Sequence, residues 1–312
     1  MDVLNERDAK REKVWHEHPI ICECAVLPTR SVRDAVARVL RITRKARASI
    51  AFYADPQTGK SSCIRAIKRE LERRIPGVGI VSLEAVDDKQ QAEGRLLIGI
   101  LNAIDFAGKI DRDLAMKREQ VKRALIALSG DARHIVIVID EAQEVSNDEF
   151  VWMKAVINGL AESGVKVTTI LFGQRELVAR KTDLDAHGRS DLAKRFMKKL
   201  VPFRGLRVRK DLSTLLESLD KPSGDDGKEA CYTSNLFPEA FEGGFRFHNW
   251  LGAFWDRLAL MVPQKMLSAG LPMDIVAAFL ANICMEQKGH DGPEMTISEP
   301  VIDKALKLAL QD

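Results

Sequence analysis

The sequence has little of what marks a membrane or secreted protein. No apolar run approaches the ~20 residues needed to span a bilayer. Met1 to Lys13 is polar and mixed in charge, without the apolar centre of a signal peptide. Cysteine is scarce: five in 312 residues, irregularly spaced, which excludes a disulfide framework and favours reduced thiols. His16, His18, Cys22 and Cys24 lie close together, but His-x-His and Cys-x-Cys do not match the usual zinc pairs. Packed thiols and partly exposed imidazoles are the expected reading there, with a metal as the alternative. Aromatics make up only 6% of the chain. Their densest group, Phe245, Phe247, Trp250, Phe254 and Trp255, has helical spacing, which favours a small-domain core over a base-stacking platform. An excess of one charge sign is also missing overall, at +3. These absences lead us to expect a soluble cytoplasmic protein with no membrane partner.

The distribution of charge is more informative than its sum. Arg30 to Arg47 holds seven basic residues and one acid, and Leu192 to Lys210 holds eight and none. Asp220 to Asp312 reverses this, with eight basic and fourteen acidic. The basic surface therefore belongs to the first two-thirds of the chain. The helix expected over Ser31 to Lys45, capped by Ser31, has an apolar stripe through Val32, Ala35, Val36, Val39 and Leu40. Its arginines form either a solvated face or one turned toward phosphates or a subunit.

The most informative stretch is Phe52 to Ser62. Ser49 to Tyr53 reads as a short buried strand, then comes a polar turn, and Gly59-Lys60-Ser61 opens a helix that runs to Arg74. Strand, glycine-containing loop and helix form a phosphate cradle, because inward backbone N–H groups and a helix N-terminus both favour anions. The binding segment would be Asp55, Pro56, Gln57, Thr58, Gly59, Lys60, Ser61 and Ser62. Gly59 lets the backbone approach, Lys60 reaches the β/γ oxygens of ATP, and the Ser61 hydroxyl binds Mg²⁺. Ala54 stands where the pattern has its first glycine, so a different shape is expected at the loop's entrance.

About 80 residues later, Ile135 to Ile139 is an unbroken β-branched run, as in a parallel strand buried on both faces. It ends in Asp140 and Glu141. Asp140 is placed to hold Mg²⁺ and Glu141 to polarise an attacking water. A helix is expected over Asn147 to Glu162 and a strand over Val165 to Phe172. A polar residue just beyond that strand, Gln174, is placed to contact the γ-phosphate and the water. Further expectations are a strand over Gly79 to Leu83, helices over Lys89 to Phe106 and Leu114 to Leu128, and helices over Phe247 to Met261, Pro272 to Gln287 and Ile297 to Leu310. Leu114, Val121, Leu125 and Leu128 are expected to face inward. The alternation of strands and helices indicates an α/β fold, a parallel sheet flanked by helices, and the helical stretches from Phe247 onward indicate a small helical domain, a lid in the family that the chain resembles. The expected domains are an extended arm (1–29), an ATPase core (30–215), a Gly/Ser/Pro/Asp-rich linker or flexible insertion (216–245) and the lid (246–312).

These motifs, in this order, resemble the AAA+ ATPases, and among them the TniB/TnsC transposition regulators, with the phage Mu B protein as a relative. The likeness is carried by Leu27-Pro28-Thr29-Arg30, Asp55 to Ser61, Ile139-Asp140-Glu141-Ala142, Phe172-Gly173-Gln174-Arg175-Glu176-Leu177, Leu192-Ala193-Lys194-Arg195-Phe196 and Gly243-Gly244-Phe245-Arg246. It implies an ATPase that assembles as a ring or filament on double-stranded DNA, with a transposase and a target-selection protein as partners. It further implies an arginine finger, Arg195 or the competing Arg189, acting on a neighbour's nucleotide, and a lid sensor, Arg246. DNA contacts would come from Lys89, Arg95, Lys117, Arg118, Lys122 and Arg123. Alternatives are a nucleotide-gated scaffold with little turnover, a secretion-type ATPase and a replication-initiator type. The last usually adds a winged-helix domain, for which the roughly 50 residues after Leu260 are expected to be too few.

Overall fold

The computed structural model describes residues 2–45, 47–86, 91–222 and 230–311. In chain order come α1 (Asp2–Glu17), α2 (Arg30–Ile42), β1 (Arg47–Tyr53), α3 (Lys60–Arg74), β2 (Gly79–Glu84), α4 (Glu93–Asn102), α5 (Leu114–Leu128) and β3 (His134–Asp140). A 3-10 turn (Ala142–Glu144) precedes α6 (Asn147–Glu162), β4 (Lys166–Gly173), α7 (Glu176–Ala186), α8 (Ser190–Phe196) and β5 (Leu200–Pro202). The remainder is helical. It comprises α9 (Arg209–Leu219), α10 (Tyr232–Leu236), α11 (Pro238–Glu242), a second 3-10 turn (Phe247–Trp250), α12 (Leu251–Met261), α13 (Gln264–Ala269), α14 (Met273–Gln287) and α15 (Glu299–Ala309).

Two compact units divide the chain: Asp34–Pro56 with Cys63–Phe203, and Met1–Arg33 with Gln57–Ser62 and Arg204–Asp312. The first is an all-parallel sheet in the order β2-β3-β4-β1-β5, flanked by helices. Such a sheet is covered on both faces, which is why β3 reads as a continuous aliphatic run: Ile135 to Ile139 are all buried. Helix α6 opens on a reciprocal cap. Glu149 N–H donates to Ser146 Oγ at 3.1 Å, and Ser146 N–H donates to the Glu149 carboxylate at 2.8 Å.

The second unit is helical around a core of Leu212, Leu215, Phe237, Phe254, Phe279 and Leu306. The aromatic group near residue 245 joins it. Phe245 and Phe247 stack edge-on at 5.4 Å, and both meet Phe237.

Several expectations are corrected. Residues 2–17 form a helix rather than an extended arm, and its Trp15 is buried edge-on against Phe237 at 5.6 Å. Its anchors, Arg11 to Asp291, Glu12 to Lys288 and Trp15, make no apolar periodicity, so the pattern gave no helical signal. Thr29, not Ser31, caps α2: its Oγ1 accepts from Val32 N–H at 3.3 Å, while Ser31 Oγ donates to the Arg204 carbonyl at 2.7 Å. On α5 the buried face is Lys117, Val121 and Leu125, and Leu114 is exposed. Much of the expected linker is ordered helix, with Leu236, Phe237 and Ala240 buried. Two helices of five residues each are too short to show a period.

Candidate nucleotide site

Register places the ends of the strands together. Tyr53 pairs with Gly173, Ile139 with Leu171, and Asp140 with Glu84, so the loops after β1, β2, β3 and β4 leave from one edge of the sheet. The carboxyl edge of an open parallel sheet is where ligands of such folds bind. The β1–β4 pairing extends one residue past the strand, since Ala54 N–H donates to the Gly173 carbonyl at 3.0 Å. Ala54 is buried in that ladder, and positive φ falls further on, at Gln57 (59°) and Gly59 (88°). An alanine therefore fits at the entrance. The glycine requirement sits at Gly59, and Gln57 takes a left-handed conformation that non-glycine residues seldom adopt.

The loop is held within each unit. In the sheet unit, Asp55 is clasped by Arg175, which donates from Nη2 at 2.7 Å and also from Nε. That carboxylate raises the Arg175 pKa above its ordinary value. In the helical unit, Met273 N–H donates to the Gln57 carbonyl at 2.8 Å, and a Cβ on Gly59 would stand 3.5 Å from the Met273 side chain. Thr58 and Lys60 are buried although polar, and Lys60 and Ser61 are the first two residues of α3.

At the ends of β3 and β4 a polar network surrounds Glu141. Glu141 has a left-handed φ of 48°, and its N–H donates to the Asp140 carboxylate at 2.9 Å. Gln143 Nε2 donates to Glu141 Oε2 at 2.7 Å, and Gln174 Nε2 reaches the same oxygen at 3.3 Å. Gln143 Oε1 in turn accepts from Gln174 N–H at 2.8 Å. Gly173 makes room for this arrangement, because a Cβ there would lie 2.8 Å from Gln143 Oε1. The structure thus brings Glu141 and Gln174 together and adds Gln143, which sequence reading missed. The available signal was its position two residues after Glu141 at a strand end.

The remaining candidates have local partners. Arg246 donates to the carbonyls of Phe241 (2.8 Å) and Phe245 (2.6 Å), and its guanidinium lies 3.4 Å from the Phe241 ring centroid. Arg189 is 3.5 Å from Asp191, and Arg195 donates to Asn158 Oδ1 at 3.1 Å. Of the DNA-contact candidates, Arg118 is paired with Glu93 and Arg123 with Glu119. Arg95 is exposed and Lys122 half-buried, whereas Lys117 is buried, which corrects its expectation as a DNA contact. Lys89 lies outside the described residues.

The chemistry of the donors suits a magnesium nucleotide. A serine hydroxyl and an aspartate carboxylate are hard oxygen ligands appropriate to Mg²⁺, and a lysine at a helix N-terminus suits phosphate. Residues 43–180 match the family described as AAA domain. Among solved structures, the Aeropyrum pernix ORC2 protein in its ADPNP–ADP complexes is similar with a TM-score of 0.57 and 10% identity, over 94% of this chain and 71% of that one. Its ADP form gives 0.56 and 11%, over 88% and 67%. The Aeropyrum pernix ORC1 protein in complex with DNA gives 0.52 and 13%, over 93% and 69%. No curated protein is significantly similar in sequence. The fold is that of the AAA+ P-loop ATPases: a five-stranded parallel sheet flanked by helices, followed by a helical region. Among the described residues, no helix is long and apolar enough to cross a membrane.

Proposed function

We propose that this protein is an ATP-hydrolysing, DNA-handling AAA+ protein whose action depends on assembly. The observation that carries the reading is the Glu141–Gln143–Gln174 network, set at the carboxyl edge of the sheet from which the loop to Lys60 also departs. Bound Mg·ATP would supply the triphosphate and its Lewis-acidic counter-ion. Lys60 and the backbone of Asp55 to Ser62 hold the phosphates, and Ser61 and Asp140 hold the magnesium. Glu141 accepts a proton from water at one carboxylate oxygen. Gln174, bonded to that carboxylate, orients the water, and Gln143 fixes both side chains. Arg195 or Arg189 would act on a neighbouring copy's nucleotide, and Arg246 would serve as the lid cation. A finger of that kind commonly contributes about 10³–10⁵ in rate.

The finer reading is a regulator of transposition that assembles on duplex DNA with ATP, presents the target to a transposase, and is released by hydrolysis. An initiator-type ATPase is the second reading, favoured by the likeness to the two ORC proteins. On α4 and α5, exposed Arg95 and half-buried Lys122 are candidate DNA contacts, and such contacts would go to phosphates without reading sequence. ATP turnover with and without duplex DNA tests the shared core. Glu141→Gln is expected to abolish turnover while retaining ATP-dependent DNA binding. Turnover like wild type in that variant would remove Glu141 from the mechanism. Assembly of ATP-bound protein on DNA together with an integrase-type transposase supports the first reading, and strand opening without one supports the second.

A further inference from the structure

A second cationic site lies at the other end of the sheet. A cavity of about 310 Å³ opens between the C-terminal end of α2, helices α6 and α8, and the amino-terminal halves of β1 and β4. Its floor is apolar, from Ile42, Ala48, Ile157 and Val167, with the hydroxyl residues Ser49 and Thr169 beside it. Five cations line it, Lys45, Lys194, Arg195, Lys198 and Lys199, and no carboxylate does. Among the described residues, none of the four lysines is paired with an acid; nearby Asp191 is engaged by Lys154 at 2.7 Å and by Arg189. Ser49 precedes Tyr53 by four residues, which is about 13 Å of strand, so the cavity is distinct from the carboxyl edge.

Like charges crowded around a low-dielectric concavity repel one another and focus a positive potential into it. A solvated lysine face would be interspersed with acids, as α5 is with Glu119 beside Arg123. We propose that this cavity is a binding site for a compact anion of two or three linked phosphates, such as an inorganic polyphosphate or the phosphate tail of a nucleotide. The volume is at the small end of the roughly 300–1,000 Å³ of ligand cavities. Its shape is a concavity, whereas single-strand nucleic-acid sites are grooves that track a backbone. Ser49 and Thr169 can donate to phosphate oxygens at the floor, with the lysine ammonium groups closing over the rim.

The site does not depend on the nucleotide reading, and the test keeps them apart. Magnesium-free tripolyphosphate is titrated calorimetrically into the full chain, into Lys60→Ala, and into the triple variant Lys60→Ala/Lys194→Gln/Lys198→Gln. A tenfold loss is on the order of what one charge-assisted contact provides. One-to-one binding in Lys60→Ala, where the nucleotide loop is disabled, that becomes at least roughly tenfold weaker when Lys194→Gln/Lys198→Gln is added is expected. Restoration by Lys194→Arg/Lys198→Arg would show that charge, not local shape, is responsible. Binding that is lost in Lys60→Ala, or that persists in the triple variant, overturns the proposal. So does displacement of tripolyphosphate by duplex DNA at matched phosphate concentration, which would assign the cavity to nucleic acid. A thermal midpoint equal to wild type confirms that the variants are folded.

Discussion

Gln143 offers the sharpest perturbation of the candidate site. It donates to Glu141 at 2.7 Å and accepts from Gln174 N–H at 2.8 Å, so Gln143→Ala removes both bonds at once. The half-buried Gln174 N–H then loses its acceptor, a cost of about 1–2 kcal/mol. The Glu141 carboxylate loses its shorter bond and keeps the longer contact from Gln174 at 3.3 Å, so its orientation loosens. The expected outcome is a fall in ATP turnover of roughly tenfold or more with nucleotide affinity little changed, because the loss falls on the transition state. Gln143→Glu separates the two bonds. It preserves an acceptor for Gln174 N–H but sets a carboxylate against Glu141. Paired carboxylates raise one pKa above its unfolded value, so this variant loses stability relative to wild type as pH rises from about 4 to 7. Urea unfolding at several pH values together with turnover assays reads both effects. The reasoning is refuted if Gln143→Ala turns over ATP like wild type, or if the stability gap of Gln143→Glu does not widen with pH.

Other predictions follow from single residues. Burial lowers the His18 pKa from its usual 6.5 to about 4, so the folded state excludes a proton that the unfolded state binds between those values. That stability is fully present above pH 6.5 and is lost as pH falls toward 4, about 3 kcal/mol in all. The difference in acid unfolding between wild type and His18→Phe should show this slope, and parallel curves would contradict it. Gly173→Ala would place a Cβ 2.8 Å from Gln143 Oε1 and 3.2 Å from Leu177 Cδ2, costing ~1–3 kcal/mol and displacing Gln143. Its turnover should fall with that of Gln143→Ala. Gln57→Gly relieves a left-handed residue and should stabilise by roughly 0.5 kcal/mol in urea unfolding. A destabilised variant would show that the Gln57 side chain contributes more than its backbone costs.

Much of this architecture was legible because the signals were local and strong. Helices α5 and α6 begin and end at the expected residues, and the aliphatic run before Asp140 announced a strand buried on both faces. Glu141 and Gln174 could be paired from their places at strand ends, since neighbouring parallel strands bring those ends together. What was not legible depended on partners far apart in sequence. The helix over 2–17 is tied to partners more than 200 residues away, Trp15 to Phe237, Arg11 to Asp291 and Glu12 to Lys288, and Lys117 is buried although its type favours the surface. Gln143 was missed because nothing in its type marks it. Its importance comes from the left-handed turn at Glu141 and the small residue at Gly173. The cationic cavity was half visible, as a basic run after Leu192. The sequence could not show that Lys45 joins it, or that the strands beneath supply its floor.

The central claim is that Lys60 and Asp140 serve one magnesium-bound triphosphate. Equilibrium titration of ATP with and without Mg²⁺, into wild type, Lys60→Ala and Asp140→Asn, tests it most directly. The account predicts magnesium-enhanced binding in wild type, severe loss of affinity in Lys60→Ala, and loss of the magnesium enhancement in Asp140→Asn. Wild-type affinity and magnesium response in either variant would contradict it.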